Sequence, residues 1–174
     1  MAKSRRVVDV VLSGYFVWQV VSTILFDTQC LLPAWIYPKP LQNLYHWYLN
    51  GHRDPFLGAT PSFPWYMSTC VVEFTLQIPF FVVAAYAYYK GAANCRWIRI
   101  PAIISSTHML TSIISVLIMA MFEDFSSFTV PAPRTTSERL KLASVYFAYL
   151  IMTLISLFEA VFSSVYKEVK TKTG

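Results

Sequence analysis

The sequence predicts an all-α protein: a single domain over residues 1–174 built as a four-transmembrane-helix bundle. Three observations carry that reading. Hydrophobic residues make up 56% of the chain and charged residues only 13%, against about 25% charged in soluble domains. Four apolar stretches each approach the roughly 20 residues needed to cross the hydrocarbon layer. Aromatic residues reach 17%, with 11 Tyr and 5 Trp, as expected of a chain with belts at both membrane interfaces. The net charge of +5 comes mostly from the ends and one short connection. It reads as topology and headgroup contact, with no nucleic-acid partner implied.

The first helix is expected over about 7–27. Its core Val10–Phe26 is uncharged, follows Lys3, Arg5 and Arg6, and has Asp9 at its mouth. It is too long for a cleavable signal and lacks a small-residue cleavage site. The connection Thr28–Ser62 is too long for a plain turn. Within it Leu41, Leu44, Tyr45 and Tyr48 recur at helical spacing, so Pro40–Leu49 reads as a short amphipathic helix at the membrane surface. Asp54-Pro55 is a helix-start signal.

The second helix, about 64–89, carries Glu73, Gln77 and Pro79 inside an apolar run. Glu73 and Gln77 fall on one face, and Pro79 predicts a kink. The third helix, about 98–122, is uncharged at its centre and holds His108. The fourth, about 138–166, is capped by Thr136 or Ser137, and a short basic tail starts at about 167. Ser156, Ala160 and Ser164 form a small-residue row suited to close packing or a dimer seam.

Of the basic residues, nine lie at the two ends and in the second connection, and five in the first and third. That bias predicts both termini in the cytosol and the first loop in the lumen. Cys30, Cys70 and Cys95 have no metal-ligand spacing and read as packed thiols. No nucleotide loop, metal cluster or nucleophile–base pair is visible, so no cofactor is expected.

A carboxyl in hydrocarbon is costly unless protonated or partnered. Asp27 and Glu73 are the candidates for one site. By helical rise, Asp27 lies roughly 25 Å from Val10 and Glu73 about 12 Å from Trp65, so they meet if the first helix tilts or the second projects. Meeting, they would share one proton and hold one negative charge, a partner for an amine, with Trp47, Tyr66 and Tyr149 as cation–π faces. The alternative places Asp27 in interfacial water as a helix-end residue. Gln77 reads either as pocket floor or as a helix–helix hydrogen bond, His108 as a packing histidine, and Glu159 as snorkelling to headgroups.

Several segments resemble the EXPERA domain family: FDTQCLLP at Phe26–Pro33, NLYHWY at Asn43–Tyr48 and RDPFL at Arg53–Leu57. Further on come EFTLQIPFF at Glu73–Phe81, WIRIPAII at Trp97–Ile104, FEDFS at Phe122–Ser126 and ERLKLASVY at Glu138–Tyr146. The resemblance spans nearly the whole chain, departing from mammalian members at Gln19, where they carry histidine. It implies four membrane helices, a lipid-facing pocket capped from the lumen by the first loop, and a homodimer. Asp27 would pair with a ligand's amine, and Glu73 would be its protonated, hydrogen-bonded partner. Asp54 would hold the cap. Gln77, Thr111, Tyr146 and Tyr149 would line the cavity, with Trp47 and Tyr66 near its lid.

The implied function is non-enzymatic binding of sterols, oxysterols and cationic amphiphiles in cholesterol homeostasis and sterol transport. The implied place is the endoplasmic reticulum membrane and also lysosomal or endosomal membranes, with the Niemann–Pick type C cholesterol transporter as a partner. The competing reading is a sterol isomerase that shifts a ring double bond, for which a second acid–base pair is not apparent.

Overall fold

The computed structural model describes residues 6–58 and 63–167. Lys3, Arg5, Lys170 and Lys172, on which part of the topology argument rests, lie outside them, as does the tail beyond Lys167. Every regular element among the described residues is helical, and four helices are long and apolar enough to cross a membrane. These are α1 (Val7–Leu31), α4 (Pro64–Lys90), α5 (Arg96–Phe122) and α6 (Thr136–Tyr166). Between α1 and α4 lie α2 (Lys39–His52) and the single-turn α3 (Pro55–Gly58).

The four spans pack as two pairs, α1 with α4 and α5 with α6. In the first pair aromatic rings fill the seam: Phe16 stacks on Tyr88 at 5.7 Å and meets Phe80 edge-on at 5.4 Å. In the second, small residues let the backbones approach. Ala102 and Ser106 face Ser156 and Ala160, all buried, and Ser106 bonds Ser156 at 3.0 Å. Ser156 and Ala160 of the predicted small-residue row are therefore used inside the chain, between its own third and fourth spans.

The ends of this second pair are sealed reciprocally. Arg99, at the start of α5, donates to the carbonyl of Ala160, and Arg139, at the start of α6, donates to those of Ala120 and Glu123. These cations answer the unpaired carbonyls at each helix end. The cap of α6 is Thr135, one residue before the expected pair. Its side chain accepts from Glu138 while Glu138 reaches back, a complete capping box.

Two π-turns break the spans. In α1 the turn covers Thr23–Asp27 and closes with Thr28 N–H on the Thr23 carbonyl. In α4 it covers Glu73–Gln77 and closes with Ile78 N–H on the Glu73 carbonyl. The predicted disturbance around Pro79 takes this form: the widened turn sits where the ring would clash with the preceding turn's carbonyl. Helix α1 also runs four residues past the expected end, so Asp27 lies within the span.

The first connection folds over one end of the bundle. Helix α2 buries Tyr45 and Leu49 and leaves Trp47 exposed. It ends at Arg53, whose left-handed backbone (φ 50°) is unusual for a residue with a side chain. Arg53 pairs with Glu138 at 2.8 Å, and Lys141 donates to the Gly51 carbonyl at 2.8 Å. Asp54 is fully buried. It caps α3 through the N–H groups of Phe56 (3.0 Å) and Leu57 (3.4 Å), and accepts from Tyr48 (3.2 Å) and Tyr146 (2.8 Å). One carboxyl group thus ties the loop both to itself and to α6.

Candidate functional site

A cavity of about 340 Å³ opens between the two helix pairs, beneath the folded connection. That falls in the range of small-molecule sites, roughly 300–1,000 Å³. Every span contributes to its wall. From α1 come Trp18, Gln19, Ser22, Phe26 and Asp27; from α4 come Tyr66, Thr69, Cys70, Glu73 and Gln77. Helix α5 adds a strip from His108 to Val116, and α6 adds Val145, Tyr146 and Tyr149.

The two π-turns explain how two acids reach one hollow. Each carries one carboxyl, Asp27 at the end of its turn and Glu73 at the start of its own. An extra residue in a helical turn rotates the following side chains, which is how such bulges re-aim groups at functional sites. Thr23, itself buried, stands between: its hydroxyl donates to Glu73 Oε1 at 3.1 Å and lies beside the Asp27 carboxyl. Asp27 is in turn within electrostatic reach of Glu73. Among the described residues, no lysine or arginine lines the cavity.

Deeper along α4 the polar group is the Gln77 amide. Gln77 meets His108 Nδ1 at 3.1 Å and accepts a hydrogen bond from Ser105. Gln77 therefore belongs to both readings offered for it, joining α4 to α5 while facing the cavity. His108, taken as a packing histidine, also lines the wall.

At the side, Trp18 donates its indole N–H to the Tyr149 hydroxyl at 3.1 Å, in an exposed position between α1 and α6. Contacts between those two spans are sparse. The Trp18–Tyr149 bond is thus the strap across a lateral gap that faces where acyl chains would lie.

Of the residues expected at the site, Asp27, Glu73, Gln77, Tyr66, Tyr146 and Tyr149 line the cavity. Thr111 does not. It is exposed, its hydroxyl returns to the backbone of its own helix, and it sits away from the face formed by His108, Ser112 and Val116. Trp47 is 67% exposed on the outer face of α2 and also stands outside the wall. Asp54 lies behind the cavity rather than on it.

Residues 40–160 match the family described as EXPERA (EXPanded EBP superfamily). The chain belongs to the EXPERA family. It is 41% identical to the sigma intracellular receptor 2 of Homo sapiens over 94% of this chain and 93% of that one. It is 38% identical to the protein of the same name in Xenopus tropicalis, over 97% and 96% respectively.

Gln19, where the chain departs from the mammalian pattern, does line the cavity, whereas sequence reasoning passed over Thr23, Ser22 and Trp18 in this EXPERA chain. A signal was present, since Gln19, Ser22 and Thr23 repeat at helical spacing toward Asp27 in an otherwise apolar run. That polar stripe marks the face of α1 that turns inward.

The opposite end of the bundle holds a second acidic pair. Asp9 is 3% exposed. Arg6 donates to both of its oxygens, at 3.1 and 2.6 Å, and also to Glu159 and to Ser163 (3.0 Å). Glu159 does not snorkel to headgroups as expected: the guanidinium reaches it across the bundle. The two carboxylates hold Arg6 more firmly protonated than usual, chiefly through Asp9, against the cost of burial.

Proposed function

We propose that the chain is an intramembrane, receptor-like protein that binds sterols or oxysterols and cationic amphiphiles, acting in cholesterol homeostasis and sterol transport. The observation that carries this is a cavity with two carboxyls and, among the described residues, no lysine or arginine in its wall. A buried acid needs a proton or a positive partner, and the ligand's amine is the partner the wall lacks. Asp27 pairs with that amine, while Glu73 keeps its proton and is held by Thr23. Tyr66, Tyr146 and Tyr149 present aromatic faces to a cation, and Gln77 offers a neutral hydrogen bond to a hydroxyl. The gap strapped by Trp18 and Tyr149 suits a ligand arriving from the bilayer. The names of the relatives support a receptor over an enzyme.

The same reading puts the chain in the endoplasmic reticulum membrane, with exchange to lysosomal or endosomal membranes. Both termini are then cytosolic and α2 lies on the lumenal face. A second copy and a Niemann–Pick type C cholesterol transporter are the protein partners implied by the family resemblance.

The test is competition on the purified protein. A radiolabelled cationic amphiphile should bind at one site per chain and be displaced by an oxysterol. Simultaneous binding of both would separate the sterol from this cavity. Incubation with a labelled sterol carrying a movable ring double bond should return it unchanged. Turnover would establish the isomerase reading instead, with Asp27 and Glu73 stabilising the intermediate cation.

A further inference from the structure

We propose that Cys30 and Cys70 are a modification site: a reversible disulfide that staples α1 to α4 beside the acid pair. Their Sγ atoms stand 3.7 Å apart, in direct contact across the two spans. Each cysteine sits three residues from a site carboxyl, Cys30 after Asp27 and Cys70 before Glu73. The pair therefore occupies matching positions on the two spans, on the loop side of both π-turns. Forming the bond asks the sulfurs to close by roughly 1.7 Å, to the usual S–S length near 2.05 Å. Cys30 presently donates its thiol hydrogen to the Asp27 carbonyl at 2.8 Å, a contact that oxidation would surrender.

Cys70 lines the cavity, so a small disulfide reagent can reach it from there. The sulfur of Cys70 attacks one sulfur of R–S–S–R, forming a mixed disulfide and releasing R–SH. The sulfur of Cys30 then attacks the Cys70 sulfur, expelling a second R–SH. Both thiol protons end on the released R–SH molecules, and the reagent takes up the two electrons. Oxidising compartments favour this product, and the first-loop end of the bundle faces one if the loop is lumenal. Cys95 packs elsewhere in the core, in a cluster with Ile98 and Tyr166, and serves as an internal control. The bridge would close the stretch 30–70 covalently and fix the spacing of the two π-turns, restricting the unfolded chain and the movement of the site alike.

The proposal does not depend on which ligand the cavity takes. Full-length purified protein is incubated with a small uncharged disulfide, bis(2-hydroxyethyl) disulfide, alkylated, digested and examined by mass spectrometry, and its thermal midpoint is measured before and after. A peptide pair joined through Cys30 and Cys70 is expected, lost on reduction, preserved in C95S and absent from C30S and C70S. The oxidised protein should melt several degrees higher, with no such shift in C30S. Both cysteines remaining open to alkylation in the native protein, or linkage through Cys95, would overturn the site. A bridge that leaves the midpoint unchanged would overturn the staple. Alkylation mapping of the unmutated chain decides the matter even if a serine variant fails to fold.

Discussion

The two ends of this bundle each bury a pair of acids, and they differ in where the positive charge comes from. At the end near Arg6, Asp9 and Glu159 both pair with its guanidinium, so each carboxylate has its cationic partner within the chain. At the other end, Asp27 and Glu73 face a cavity in whose wall the described residues include no lysine or arginine. Acids paired with a cation inside the chain form a structural clasp. Acids lining a cavity without such a partner are the groups with which the proposed cationic ligand would pair, because desolvated charge is costly until it is paired.

The largest expected effect tests that contrast directly. Asp27→Asn should weaken binding of a cationic amphiphile by about 3 kcal/mol or more, on the order of a hundredfold, as when a buried pair loses one member. Saturation binding measures it, and an unchanged dissociation constant would take Asp27 out of the site. Arg6→Gln should do the converse. It leaves Asp9 and Glu159 facing each other and should lower the thermal midpoint, at a cost of roughly 2–4 kcal/mol, while ligand affinity stays put. A loss of affinity equal to that of Asp27→Asn would mean the two ends are not independent.

Glu73→Gln should cost less than Asp27→Asn, about 1–2 kcal/mol, because an amide retains a hydrogen-bonding partner at that point. An equal or greater loss would reassign the charge to Glu73. Thr23→Val should cost about 1 kcal/mol of affinity by removing the hydroxyl that holds Glu73. If affinity is unaltered, Thr23 is only filling space.

The smallest effect concerns the cap. Burial pushes the Asp54 carboxyl above the ordinary carboxylate value, opposed by its bonds to Tyr146, Leu57, Tyr48 and Phe56. From about pH 4 upward the folded chain keeps that proton while the unfolded chain has lost it, so this group's contribution to stability falls as pH rises through the window. Thermal midpoints of Asp54→Asn against the parent should show a flatter pH profile for the variant. Parallel profiles would show that Asp54 does not titrate there.

Much of the fold was legible because lipid as solvent leaves few choices. Long uncharged runs must be helices, and their ends follow from where Lys, Arg and Pro stand. The capping box was legible too, in the spacing of Thr135 and Glu138, although the cap was read one residue late. The π-turns were not. Pro79 signals a disturbance in α4, but no residue type announces the matching turn at Thr23–Asp27, which ends where a straight helix was expected to stop. Glu159 was misread because its partner, Arg6, is 153 residues away in sequence, and a pairing at that distance leaves no local pattern. Thr111 illustrates the limit of carrying a residue over from a family, since the helix's own rotation decides which side chains reach the wall.

By itself the sequence determined a four-span membrane protein with an acid inside each of two neighbouring helices, because composition and helical spacing are local properties. Only the tertiary structure decided that the acids at one end meet a guanidinium and those at the other line a cavity. Which charges find partners depends on which helices pack together, and packing is settled by contacts between residues far apart along the chain.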